Sequence, residues 1–248
     1  MKLDPSARTA ERDGPAGPDA PLARGDLLEG TYRIERRLGE GGMGSVYEVT
    51  HVPSGAPFAA KVVDAPEGSS AGAVERLLRE ARSLASLEHP HIVEAVPFGR
   101  VPGRVFIVMA LLRGEDLQRR LKRRAGAGLP DDEVRAILFP VLDALALAHR
   151  HGVIHRDLKP ANLFLVGEGA ATVPKLVDFG LSKLRGDDLE QITLPRAGQV
   201  LGTPLYMAPE QARSTADVDR RVDIYAMGCV VFEMLTGRVP YPARTLQE

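Results

Sequence analysis

The chain has 248 residues, with 32 Lys and Arg set against 33 Asp and Glu for a formal net charge of -1. That balance excludes a general electrostatic attraction to nucleic acid or to an anionic membrane. Hydrophobic residues at 44% and charged residues at 26% are the proportions of an ordinary globular protein, with enough length for one large domain or two lobes. The single cysteine, Cys229, excludes an intrachain disulfide and sits in an apolar run, where it reads as a small buried hydrophobe. No apolar signal core opens the chain and no run is long enough to span a bilayer, so a cytoplasmic location is expected. The densest basic run, Arg113, Arg119, Arg120, Lys122, Arg123 and Arg124, reads as a solvated helix face.

Residues 1 to about 28 are rich in Pro, Gly, Ala and charge. With few large apolar side chains to offset the entropy of ordering, they are expected to form a disordered tail. From Thr31 to Val63 the chain reads as strands. Tyr32–Leu38, Ser45–Thr50 and Phe58–Val63 are β-rich runs, punctuated by Gly and Pro at Gly39–Gly44 and Pro53–Gly55. The period then changes. Val74, Leu77, Leu78, Ala81, Leu84 and Ala85 fall on one helical face, and Pro90 lies past its end. Arg104–Met109 returns to strand character.

Beyond that point the pattern is mostly helical. Asp131, Asp132 and Glu133 put negative charge at a helix start, where the helix dipole favours it. Val134, Ile137, Leu138, Val141, Leu142 and Leu145 form the apolar stripe behind them. Pro140 inside this stripe should kink the helix or cost about 3 kcal/mol. A later helix spans about Val222–Leu235, with Gly237 as its cap and Pro240 behind. The expected architecture is α+β and two-lobed: a small antiparallel β lobe with one helix over about residues 29–109, a joint at 110–114, and a mostly helical lobe over 115–248. The cleft between such lobes is where a ligand is expected.

Two regions carry chemistry. The first is Leu38-Gly39-Glu40-Gly41-Gly42-Met43-Gly44-Ser45-Val46, a Gly-x-Gly-x-x-Gly pattern whose glycines let backbone approach phosphates closely. Taken alone it also fits a dinucleotide fingerprint, and hence an oxidoreductase. That fingerprint opens a helix, whereas a second strand follows here, so a hairpin lid fits better. In Phe58-Ala59-Ala60-Lys61-Val62-Val63, a lysine within an apolar strand needs an anion, either phosphate or a carboxylate such as Glu80. Singly, Lys61 reads equally well as an outward strand residue and Glu80 as a solvent-facing helix residue.

The second region is the octet His155-Arg156-Asp157-Leu158-Lys159-Pro160-Ala161-Asn162. Asp157 can accept a hydroxyl proton, Lys159 can neutralise phosphoryl oxygens, and Asn162 offers a hard carbonyl ligand to magnesium. Asp178 of Asp178-Phe179-Gly180 follows an apolar strand 21 residues after Asp157 and is suited to a metal bridging phosphates. The order of glycine loop, Ala-Ala-Lys, helix Glu, this octet, Asp-Phe-Gly and Ala208-Pro209-Glu210 resembles the protein-kinase signature set. Over about residues 30–248 the chain is similar to bacterial members of the eukaryotic-like (Hanks-type) serine/threonine protein kinases.

The resemblance implies ATP as phosphoryl donor, with Mg2+ or alternatively Mn2+, and proteins bearing Ser or Thr as acceptors, the chain itself included. It implies that Gly39, Gly41 and Gly44 cover the phosphates and that Leu38, Val46, Ala59 and Phe164 sandwich adenine. Met109 corresponds to the gatekeeper, and Ala110 to Leu112 to the hinge that meets the adenine edge. Lys61, paired to Glu80, would bind the α- and β-phosphates. Asp157 would be the base, Lys159 the stabiliser of transferred charge, and Asn162 and Asp178 the metal ligands. Lys159 and Thr203 resemble the serine/threonine class rather than the tyrosine class. Residues 180–210 resemble an activation segment, in which Thr193 is expected to be autophosphorylated and to pair with Arg156. Asp223 resembles the helix aspartate that anchors the catalytic loop. The family pattern normally continues through further helices, one of which supplies an arginine for Glu210. A C-terminally short domain with an exposed apolar face on the Val222–Leu235 helix is therefore expected, and with it the alternative of a nucleotide-binding but inactive scaffold.

Overall fold

A computed structural model describes residues 22–41, 44–64, 87–167, 172–178, 205–213 and 218–242. Glu80 and its expected helix, Thr193 and Thr203 lie outside the described residues.

The first lobe is a six-stranded antiparallel sheet. Its strands are β1 (Leu27–Leu28), β2 (Tyr32–Gly41), β3 (Gly44–His51), β4 (Pro57–Asp64), β5 (Ala95–Val101) and β6 (Arg104–Ala110), in the order β1-β2-β3-β4-β6-β5. Side chains alternate across a strand, so the sheet has two distinct faces. Tyr47, Val49, Ala60, Val62, Phe106 and Val108 pack on one face with Leu28 and Ile34. Ala59, Ile107 and Met109 pack on the other, with Val46 beside them. Lys61, two residues from Ala59 and opposite both Val46 and Ile107, is carried on this second face.

Leu28 corrects the expected tail boundary. It is fully buried, and β1 pairs with β2 through Leu27↔Arg33 and Leu28↔Tyr32. One leucine in a polar stretch carries no period, yet closing over Ile34 and Phe106 removes its side chain from water, worth about 1.5–3 kcal/mol. The ordered sheet therefore begins before residue 29.

The second lobe is built on α1 (Leu117–Arg123), α2 (Asp131–Arg150), the short α3 (Pro209–Arg213) and α4 (Arg221–Thr236). Asp116 caps α1 by accepting the Arg119 N–H at 2.8 Å. α2 begins with Asp131, Asp132 and Glu133 and runs through Pro140 without a break. Its buried stripe is Val134, Ile137, Val141, Ala144, Leu145 and Ala148, set against Ala226, Met227, Val230 and Met234 of α4. Leu138 and Leu142 lie at the edge of this core rather than inside it. Gly237 closes α4 in the left-handed conformation, its N–H meeting the Glu233 carbonyl at 2.8 Å. The expected apolar face is present, with Ile224, Phe232 and Leu235 exposed.

This lobe is not purely helical. A three-stranded sheet, β7 (Gly114–Asp116), β8 (Leu163–Val166) and β9 (Val173–Leu176), lies at its edge. Besides the joint at residues 110–114, the lobes are tied by a backbone strap. Val93 N–H donates to the Leu176 carbonyl at 3.0 Å, and Leu176 N–H to the His91 carbonyl at 2.8 Å. β9 leads directly into Val177 and Asp178, so the strap fixes where Asp178 begins.

Candidate active site

Four segments converge on the cleft. Lys61 comes from β4, where it is almost completely buried, and its Nζ lies 2.7 Å from Asp178 Oδ2. Among the described residues, the carboxylate that Lys61 meets is Asp178, which follows β9. Asp178 has a positive φ of 62°, a conformation that costs a non-glycine residue about 1–3 kcal/mol.

The octet folds into a compact loop. Lys159 Nζ donates to Asp157 Oδ2 at 2.8 Å and to Oδ1 at 3.1 Å. A short 3-10 turn, Pro160–Asn162, brings Asn162 back on the same group. Asn162 Nδ2 donates to the Asp157 carbonyl at 2.7 Å and to Asp157 Oδ2 at 3.1 Å. With the amide nitrogen spent on Asp157, the side-chain oxygen of Asn162 remains as an acceptor.

The loop is held from behind. Asp223, on α4 and 1% exposed, accepts the His155 N–H at 2.9 Å on Oδ2 and the Arg156 N–H at 2.8 Å on Oδ1. His149, in the last turn of α2, brings its Nε2 to Asp223 Oδ2 at 2.7 Å. Arg156 has a positive φ of 66°, and its carbonyl accepts Gln211 Nε2–H at 2.6 Å. Arg156 Nε is buried with no hydrogen-bond partner among the described residues.

His155 joins the loop to the Val177–Asp178 segment. Its Nε2 donates to the Val177 carbonyl at 3.1 Å, and Val177 N–H donates to the Asn162 carbonyl at 3.0 Å. Complete burial holds the His155 imidazole below its ordinary pKa, against the pull of Asp223 and Asp157. The neutral ring then accepts the Asp157 N–H on Nδ1 at 3.4 Å.

The cleft side of the first lobe is apolar. Val46, Ala59, Ile107, Met109 and Leu111 form one cluster, and Ala59 lies opposite Met109. Ala110 N–H is spent on the Glu94 carbonyl at 3.0 Å. Leu111 and Leu112, which follow β6, make no backbone hydrogen bond to another described residue. Leu38 is exposed at an irregularity between Arg37 and Gly39, outside that cluster. Phe164 is half-buried on β8, opposite Asp116 and Lys175, while its neighbours Leu163 and Leu165 enter the core. Gly44 has φ +118°, and a Cβ there would meet the Val62 carbonyl at 2.1 Å. Gly39 is different, since a Cβ would meet nothing within 4 Å. Gly41 ends β2 opposite Gly44.

Among the described residues no three His, Cys, Asp or Glu side chains form a metal-binding group. Asp178 and Asn162 supply one carboxylate and one carbonyl oxygen. That donor set suits Mg2+, which takes one or two protein oxygens and completes its shell from phosphates and water.

Sequence reasoning missed His149 and Gln211. A histidine in a last helical turn reads as a complement to the helix dipole. Nothing local says that its ring reaches a carboxylate 74 residues away.

This arrangement is that of a protein kinase domain, and residues 32–248 match that family. The chain belongs to it. Among curated relatives it is 40% identical to serine/threonine-protein kinase Pkn1 of Myxococcus xanthus, over 86% of this chain and 30% of that protein. It is also 40% identical to serine/threonine-protein kinase PknH of Mycobacterium tuberculosis, over 91% of this chain and 34% of that protein. The chain thus spans about a third of the length of these relatives. Among solved structures, the PknI kinase domain of Mycobacterium tuberculosis superposes with a TM-score of 0.72 at 33% identity, covering 92% of this chain and 82% of that one. No helix among the described residues is long and apolar enough to cross a membrane.

Proposed function

We propose that this chain transfers the γ-phosphoryl group of ATP to serine or threonine hydroxyls of proteins, itself included. The observation that carries the reading is the Asp157 carboxylate held by both Lys159 and Asn162, with Lys61 and Asp178 paired at 2.7 Å in the same cleft.

Two hydrogen bonds fix Asp157 Oδ2 and leave further carboxylate lone pairs to accept the proton of a substrate hydroxyl. As the hydroxyl oxygen bonds to the γ-phosphorus, the bond from that phosphorus to the β–γ bridging oxygen breaks and ADP departs. Lys159 is placed to neutralise charge on the transferred group. Lys61, released from Asp178, would hold the α- and β-phosphates, with Glu80 as its proposed carboxylate partner. Mg2+ bound with the nucleotide would supply charge neutralisation at its phosphates, held by Asp178 and the Asn162 side-chain oxygen. The backbone groups of Leu111 and Leu112, without a backbone hydrogen bond among the described residues, suit an adenine edge beside Met109 and Ala110. Val46 and Ala59 would cover the ring, with Phe164 and Leu38 at its margins. Gly39, Gly41 and Gly44 would lie over the phosphates.

Thr193 is proposed to be autophosphorylated and its phosphate to accept hydrogen bonds from Arg156, whose Nε is buried without a partner among the described residues. Thr203 is proposed to lie beside the Asp157–Lys159 pair.

Incorporation of labelled phosphate from Mg-ATP, into the chain and into a generic basic protein, tests the reading. The wild type should transfer and Asp157→Asn should not, while both gain thermal stability from Mg-ATP. Phosphopeptide mapping of the same reaction tests Thr193. Stabilisation by Mg-ATP without any transfer would replace the reading with a nucleotide-binding scaffold.

A further inference from the structure

Gln211 links α3 to the catalytic loop, and the kinase reading assigns it no part. Its Nε2 donates to the Arg156 carbonyl at 2.6 Å, across 55 residues of chain. A carbonyl only accepts, so the amide nitrogen of Gln211, not its oxygen, faces Arg156. A helix of five residues cannot hold a side chain in place by itself, so α3 has to be seated by packing. Ala208, which precedes it, is fully buried in a small cluster with Val218 and Val222. Ile154 and Tyr225 pack against that cluster. Ile154 immediately precedes the octet, so one apolar contact brings the root of the catalytic loop and the start of α3 together.

The bond matters because of the peptide it holds. The peptide between Arg156 and Asp157 is planar, so its carbonyl and its N–H turn as one unit about ψ of Arg156. Asp157 Cα turns with them. The N–H of this peptide meets His155 Nδ1 only at 3.4 Å, a long and weak contact. The carbonyl meets Gln211 at 2.6 Å, so the grip on the plane falls mainly on Gln211. Lys159 and Asn162 hold the Asp157 carboxylate from within the loop, which sets the loop's internal shape. The bond to α3 comes from outside the loop and sets the direction in which Asp157 leaves the Arg156 backbone.

We propose that Gln211 is a positioning residue for phosphoryl transfer: its Nε2–H holds the Arg156 carbonyl, fixes the plane of the Arg156–Asp157 peptide and thereby aims Asp157 at the substrate hydroxyl. The inference rests on the kinase reading. It requires a hydrogen-bond donor at the Nε2 position, not merely a side chain that fills the space.

The test uses the full chain and steady-state phosphorylation of a generic basic protein by wild type, Gln211→Met, Gln211→Glu and Gln211→Lys. Methionine keeps the length of the side chain without a donor. Glutamate keeps its shape but turns an acceptor toward the carbonyl. Lysine restores a donor of sufficient reach. Gln211→Met should lose about five- to a hundredfold in kcat, the worth of leaving one carbonyl without its donor. Gln211→Glu should lose at least as much, because two acceptors then face each other. Gln211→Lys should recover about half or more of the methionine loss on a logarithmic scale. KM for ATP and thermal stabilisation by Mg-ATP should remain at wild-type values throughout, because Lys61, Asp178 and the glycine loop lie on other elements. Wild-type kcat in Gln211→Met, a loss confined to KM, or equal losses whether or not a donor is present would overturn the inference. If Gln211→Glu fails to fold, the comparison of Met with Lys decides, and equal activity of those two overturns it. An inactive wild type would overturn the kinase reading together with this inference, whereas an active wild type matched by Gln211→Met overturns the inference alone.

Discussion

Replacing Gly44 by alanine, with Gly39→Ala beside it, separates what the fold demands of the glycine loop from what a ligand demands. At Gly44 the new methyl would sit 2.1 Å from the Val62 carbonyl oxygen and 3.2 Å from Val63 Cα, both backbone atoms. The carbonyl must retreat by roughly 1 Å, an overpacking strain of about 1–3 kcal/mol. The φ of +118° adds about 1–3 kcal/mol for a residue with a Cβ. A total of about 2–6 kcal/mol corresponds to a melting point lower by roughly 4–24 °C for a chain of this size. Val62 follows Lys61 on β4, so the displaced strand should also weaken ATP binding. At Gly39 the methyl meets nothing and φ lies outside the positive range, so stability without nucleotide should change by less than about 0.5 kcal/mol. Any penalty there should appear only in the KM for ATP. Thermal melting with and without Mg-ATP, together with ATP kinetics, reads both effects. A Gly44→Ala protein that melts with the wild type would refute the geometric argument. A Gly39→Ala protein that melts early without nucleotide would show its glycine to be structural.

Two other perturbations have a definite sign. His155 is held by burial below its unfolded value of 6.5, so as pH falls through 6.5 the unfolded chain takes up a proton that the folded chain refuses. Stability contributed by this group is complete above that value. It should fall toward about 1.4 kcal/mol per pH unit on acidification until the lower folded pKa is reached, a slope that urea titrations between pH 7.5 and 5.5 should find shallower in His155→Asn. Arg120 bridges Glu115 and Glu133, with both Arg120 and Glu115 largely buried. Although burial raises Glu115, hydrogen bonds from Arg120 and Arg123 carry its pKa below the ordinary carboxylate range. Arg120→Ala should therefore cost about 1–3 kcal/mol in urea unfolding, and Arg120→Lys, lacking the planar fork, should recover less than half of it.

The side chains that meet in the octet loop were legible because they are sequence-local. Asp157, Lys159 and Asn162 lie within one turn of chain, so whatever shape the loop takes, their side chains stay within reach of one another. The long elements were legible through period. The stripe of α2, the β-rich runs of β3 and β4, and Gly237 beyond α4 each write their physics into neighbouring residues. Short elements were not. β1 has two residues and β7 three, too few for any period to show. β5 carries Pro97 and Gly99, which read as breakers. In the sheet it is an edge strand with an irregularity between Val96 and Phe98, and Gly99 leaves room for the Phe106 ring.

By itself, then, the sequence determined which groups could act and on what class of element each would ride. Only the tertiary structure decided which distant groups meet: Lys61 with Asp178, the His91–Val93 strap with β9, and His149 with Asp223. Those pairings depend on how sheets and helices pack, and packing is set by the summed burial of many apolar side chains rather than by any residue near the contact. A buried carboxylate and the ring that steadies it carry no local mark of each other, because the free energy that brings them together is contributed by the core between α2 and α4.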